Sequence, residues 1–138
     1  MLVFHDTPPA IEGQVCEALL LQAHYYRGTL VNEASSLFLK LQDRLWHRVF
    51  IEAGVVFWHR VDGLDSPDQD RHHYTLTDLA AAHGLAGQRV AGVTAVDVPS
   101  GGALRLAFAG GPSVVLSHVD GRSHVAVEAA PAATASGS

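Results

Sequence analysis

Several residue types are nearly missing from this chain, and each shortage excludes something. Cys16 is the single cysteine among 138 residues, so no intramolecular disulfide can form. Cysteine-paired zinc motifs are excluded with it. No stretch reaches the ~18 apolar residues of a membrane-spanning helix. The opening MLVFHDTPPAIEG has neither a basic n-region nor a long apolar run, so it does not read as a secretory signal. A reducing compartment fits a lone cysteine, and the cytoplasm is the expected location. Lys40 is the one lysine and Asn32 the one asparagine, in a chain rich in Ala, Gly, Val and Arg. A GC-rich bacterial genome yields that bias, so the arginines are not evidence of anion binding.

What is present suffices for a core. Hydrophobic residues make up 48 % and charged residues 17 %, too apolar a balance for a disordered chain. The length matches one domain, expected over residues 1–129. Residues 130–138, APAATASGS, lack periodicity and read as a disordered tail. The formal net charge is −5, with histidine neutral. An acidic protein repels phosphate backbones, so a nucleic-acid partner is disfavoured.

The apolar pattern has mainly a period of two. Leu37, Leu39 and Leu41 alternate within SSLFLKLQ, and Gln42-Asp43-Arg44 turns the chain. LWHRVFIE sets Val49 and Ile51 opposite Trp46 and Phe50, and Ala53-Gly54 is the next break. VVFWHRV sets Val55, Phe57 and Val61 opposite Val56 and Trp58. Three β-rich runs with short breaks make a meander, and large apolar groups on both faces imply burial on both sides. Residues 2–4 suit a short edge strand, and Thr7-Pro8-Pro9 suits a helix start that Gly13 ends. Residues 62–73, DGLDSPDQDRHH, read as a polar loop. A short alanine-rich helix follows over 77–84, with Asp78 or Thr77 as cap and Gly84 as stop. Strands then follow near 88–98, 103–109, 113–119 and 123–129, the last two joined by the hairpin signal Asp120-Gly121. The expected class is mainly β (α+β), with one or two short helices. The strands form an antiparallel meander sheet, a two-sheet sandwich or a partly closed barrel.

The two halves can be laid on each other. Gly13-Gln14 and Gly87-Gln88 each follow a short capped segment and precede an alternating run. Those runs are Leu37-Phe38-Leu39-Lys40-Leu41 and Leu104-Arg105-Leu106-Ala107-Phe108. A helix-plus-meander unit used twice would explain this, as would coincidence, since any half-buried strand alternates. The comparison favours strand over helix for residues 15–26, where periodicity is ambiguous.

Nine histidines invite a metal reading, centred on His72 and His73 beside the 62–70 aspartates and His59. Yet HExxH and CxxC spacings are absent, and adjacent strand residues point to opposite faces. The aspartate loop lacks the spacing, glycine and terminal Glu of a calcium-binding hand. Cys16 lies in an apolar run and reads as core. Ser117-His118 and Ser123-His124 do not aim each serine at its own histidine, and no G-x-S-x-G elbow exists. Gly101-Gly102 and Gly110-Gly111 separate strands and open no helix, so neither reads as a phosphate loop. No catalytic residue, metal or cofactor is expected.

The run LFLKLQDRLWHRVFIEAGVVFW, within residues 32–58, resembles small β-rich bacterial proteins, some of which accompany toxins as immunity proteins. The lack of a catalytic constellation, the acidic balance and the aspartate-rich loop point to a non-enzymatic domain that binds a partner protein, as an immunity or regulatory factor. The expected partner-binding residues are Trp46, Arg48, Trp58, Arg60 and the aspartates Asp62, Asp65, Asp68 and Asp70. An acidic loop would steer a basic partner. One competing reading is a small-molecule binder or enzyme with a pocket lined by His47, His59 or His118. Another is a homo-oligomerisation module that pairs edge strands.

Overall fold

The computed structural model describes residues 2–5, 10–64 and 70–129. The strands are β1 (Val3–Phe4), β2 (Cys16–Tyr26), β3 (Thr29–Leu41), β4 (Trp46–Glu52), β5 (Val55–Val61), β6 (His72–Asp78), β7 (Val90–Val98), β8 (Gly101–Phe108), β9 (Ser113–Val119) and β10 (Arg122–Glu128). The helix α1 (Leu79–His83) lies between β6 and β7. The protein is mainly β, in two sheets without a closed barrel: six strands ordered β1-β5-β4-β3-β2-β6 and four ordered β10-β9-β8-β7. All pairings are antiparallel except β1 with β5.

Residues 16–26 are strand, as the comparison of halves implied. The cap of α1 is Asp78, whose carboxylate accepts the Ala81 N–H at 2.9 Å, and Gly84 closes the helix in the left-handed region. Two expectations are corrected. The loop placed over 62–73 ends earlier, because His72 and His73 belong to β6, which pairs with β2 along its length. Polar histidines hid a strand that Tyr74, Thr75 and Thr77 favour. β3 begins at Thr29 and not near residue 35, after a tight turn at Arg27-Gly28 with φ of 51° and 80°. The exposed start of β3 gave no apolar alternation to read. Residues 12–13 form a turn, while Thr7-Pro8-Pro9 and the tail lie outside the described residues.

Leu19, Leu37, Leu39, Val49 and Ile51 of one sheet share a single core with Leu104, Leu106, Val114 and Leu116 of the other. Leu2 is also buried there, and a Cβ on Gly102 would run into its side chain.

The sheets meet at a corner with matched hydrogen bonds. Val15 and Arg89 form an isolated antiparallel bridge. The Gly13 N–H donates to the Val90 carbonyl and the Gly87 N–H to the Cys16 carbonyl, both at 2.8 Å. The Cys16 N–H donates to the Gln88 carbonyl at 2.8 Å, and the Val90 N–H to the Gln14 carbonyl at 2.9 Å. Register shifts fall between Cys16 and Ala18 in β2 and between Val90 and Gly92 in β7. The turns after β4 and β9 carry φ of 51° and 79° at Ala53-Gly54 and 52° and 77° at Asp120-Gly121. Two successive left-handed residues match the twist of a two-residue hairpin.

Candidate functional site

Strand alternation gives the six-stranded sheet two chemically distinct faces. Cross-strand partners Leu37, Val49 and Trp58 lie on the core side, as do Leu39 with His47 and Ile51 with Val56. On the outer side, Phe38 is paired with Arg48, Arg48 with His59, Lys40 with Trp46, and Phe50 with Phe57. Phe38 is 1 % exposed yet stands apart from the shared core, so the sheet centre is buried on both sides.

The outer face carries an ordered cation–aromatic cluster. The Arg48 Nε–H donates to Ser36 Oγ at 2.9 Å, and its guanidinium sits 4.6 Å from the Phe50 ring centroid. Phe50 stacks on Phe57 with centroids 4.9 Å apart, and His5 stacks on the same Phe57 at 5.0 Å. His59 lies at the edge, 6.0 Å from Phe57. Lys40 Nζ lies 5.6 Å from the Trp46 ring. Trp46, Arg48, Phe50 and Phe57 are half-buried and His59 is exposed. Ser36 is fully buried, so it anchors the arginine from beneath. Neither Lys40 nor Arg48 forms an ion pair with a described carboxylate. An arginine has five N–H donors, so the remaining ones suit a carboxylate in bidentate geometry.

The residues expected at the site do not converge. Trp46 and Arg48 lie on the outer face. Trp58 packs against the core on the opposite face, where its Nε1–H donates to His47 Nδ1 at 3.0 Å. Arg60 is exposed and pairs across strands with His47, on the Trp58 side. Asp62 and Asp70 are exposed, while Asp65 and Asp68 lie outside the described residues. The alternation of residues 55–61 already assigns Phe57 and Trp58 to opposite faces, and following it would have joined Phe50 and Phe57 to Trp46. Nothing in the sequence pointed to Ser36 or His5.

Several other polar groups have local partners. His24 Nε2 and His72 Nδ1 are 2.9 Å apart, and His24 stacks on Tyr74 at 4.7 Å between centroids. Burial, then the neighbouring His72, lowers the pKa of His24. His118 Nδ1 is 2.9 Å from Ser123 Oγ, a cross-strand pair, while His124 meets Glu33. Burial raises the Cys16 thiol to about 11, so it stays protonated and is a poor nucleophile. No group of three or more His, Cys, Asp or Glu among the described residues is placed to hold a metal ion. The space shared by the two sheets holds a cavity of about 10 Å³, lined by Leu19, Leu37, Trp58, Leu104, Leu116 and other apolar residues. That volume admits at most a water, and the apolar lining does not favour one. No described helix is long and apolar enough to cross a membrane.

Comparison with known proteins places no relative beside this site: no family model, curated protein or solved structure matches the chain.

Proposed function

We propose that this chain is a non-enzymatic protein-binding domain that receives its partner on the outer face of β3, β4 and β5. The observation that carries the proposal is Arg48, fixed by buried Ser36 and stacked on Phe50, which itself stacks on Phe57. Aromatic rings and an arginine held in place before binding lose little side-chain entropy on association. The cationic groups Lys40 and Arg48 call for carboxylates on the partner at this face. The overall charge of −5 disfavours a partner that is acidic throughout. The filled interior also favours a surface role over a ligand enclosed between the sheets. An immunity or regulatory factor is the biological role that the resemblance of residues 32–58 supports. Co-purification from the source organism tests the function. One stoichiometric partner is expected with the native chain and its loss with Arg48→Glu; retention by the variant, or no partner at all, defeats the proposal.

The same proposal extends to architecture. We read the two sheets as the layers of a sandwich made from one unit used twice, a capped turn or helix followed by a four-strand meander. Supporting this are the shared strand orders β5-β4-β3-β2 and β10-β9-β8-β7, the reciprocal corner bonds and the matched turns.

A further inference from the structure

β3 and β4 pair only where residues 37–40 meet residues 46–49. Ahead of that stretch β3 runs beside β2, and its Glu33 meets His124 of β10 in the other sheet. The end of β4 stays with β5, where Phe50 pairs with Phe57 and Glu52 with Val55. An open cleft of about 460 Å³ lies where the two strands part, lined by Asn32, Ser35, Arg48, Phe50, Glu52 and His118 among others. A second hollow of about 350 Å³ shares Asn32 and Gly121 with it and is lined by the exposed Leu30 and Val31. Each sheet contributes a polar group held by a buried serine. Ser36 accepts the Arg48 Nε–H at 2.9 Å, and Ser123 Oγ lies 2.9 Å from His118 Nδ1.

We infer that this cleft takes an aspartate or glutamate side chain from an extended segment of the partner, with a neighbouring apolar residue laid over Leu30 and Val31. The inference rests on the partner-face reading above and adds where and how the partner enters. Arg48 keeps donors beyond the one given to Ser36 and meets no described carboxylate. The Asn32 Oδ1 accepts the Ala34 N–H at 3.1 Å, so its amide has Nδ2 left to donate. In the tautomer that accepts the Ser123 hydroxyl at Nδ1, the His118 Nε2–H is a third donor. A guanidinium, an amide and an imidazole around one cleft match the lone pairs of a carboxylate, and charge-assisted bonds are roughly twice as strong as neutral ones. Glu52 is the one carboxylate among the lining residues, and it is exposed, next to the turn after β4. It opposes a bound anion from the rim. Two adjoining hollows suit a run of successive residues, where a small free acid would occupy only the first.

Peptide pools presented to the immobilised full chain test it. One pool is capped at both ends with a fixed central Asp and all other positions randomised; a second has central Asn; a third has central Asn and a free C-terminal carboxylate. The Asp pool is expected to be retained about tenfold better than the capped Asn pool, enriched in apolar residues beside the Asp. Asn32→Asp keeps the acceptor for Ala34 but puts a negative charge in the cleft, and should lower retention about tenfold or more with an unchanged circular dichroism spectrum. Glu52→Gln should raise it. Equal retention of the two capped pools overturns the inference, as does preference for the free-terminus pool, which would assign the cleft to a chain end. The native partner separates the two readings. A partner lost with Arg48→Glu but bound unchanged by Asn32→Asp removes the cleft and leaves the partner face standing. A partner kept by Arg48→Glu defeats the face reading and this inference with it.

Discussion

At the scale of single residues, His47 is the most informative side chain. It is 1 % exposed, and the Trp58 indole donates to its Nδ1, so in the neutral ring the proton sits on Nε2. That Nε2 is buried with no hydrogen-bond partner. An unmet buried donor costs about 1–3 kcal/mol. Burial, the largest influence, lowers the pKa of His47 from 6.5, with Arg60 acting in the same direction and Asp43 opposing. A histidine whose pKa is lowered by folding binds protons more readily in the unfolded chain. Its contribution is therefore complete above the ordinary value of 6.5 and declines as pH falls below it. Thermal melts between about pH 8 and pH 5 should show stability falling on the acid side. His47→Gln keeps an acceptor for the Trp58 indole and should flatten that fall. Alternation groups His47 with Val49 and Ile51 but does not say that theirs is the side facing the other sheet. That follows only from the pairing of His47 with Leu39, a contact between strands.

At the scale of elements, the tight turns and regular alternation were legible. Asp120-Gly121 and Ala53-Gly54 announce hairpins, and the leucines of 37–41 announce a strand buried on one side at least. β6 was not legible, because His72 and His73 look solvated until β2 supplies partners for Tyr74 and Thr75. The site was half legible for the same reason. Trp46 and Arg48 share a face, whereas the parity of Trp58, unlike its residue type, sets it apart from them. Gly13 and Gly87 test the equivalence of the two corner turns. Both are left-handed, with φ of 86° and 88°, and a Cβ at either would meet no atom within 4 Å. Replacement by alanine should therefore cost backbone strain alone, about 1–2 kcal/mol. Gly13→Ala and Gly87→Ala, compared by urea denaturation, should lose stability by matching amounts; a large inequality would separate the halves.

At the scale of the whole molecule, one core serves both sheets, so neither should unfold alone. Leu116 of β9 is 1 % exposed and faces the cavity that Trp58 of β5 also lines. Both tryptophans belong to the six-stranded sheet. Leu116→Ala should cost about 2–5 kcal/mol. Because Trp46 and Trp58 both belong to the other sheet, their fluorescence should shift to a lower denaturant midpoint in step with circular dichroism. A fluorescence midpoint left unmoved would mean that the sheets melt independently. The two-layer burial follows from apolar pattern, while the joining of the sheets depends on backbone bonds between residues 13–16 and 87–90, which no local pattern announces.

The small strand β1 has a practical consequence for anyone handling this protein. It is two residues long, with the Val3 N–H bonded to the Gly54 carbonyl at 3.1 Å. Just ahead of it, Leu2 fills the hollow above Gly102 in the other sheet, like a peg holding two boards. An affinity handle fused directly before Leu2 tugs on that peg.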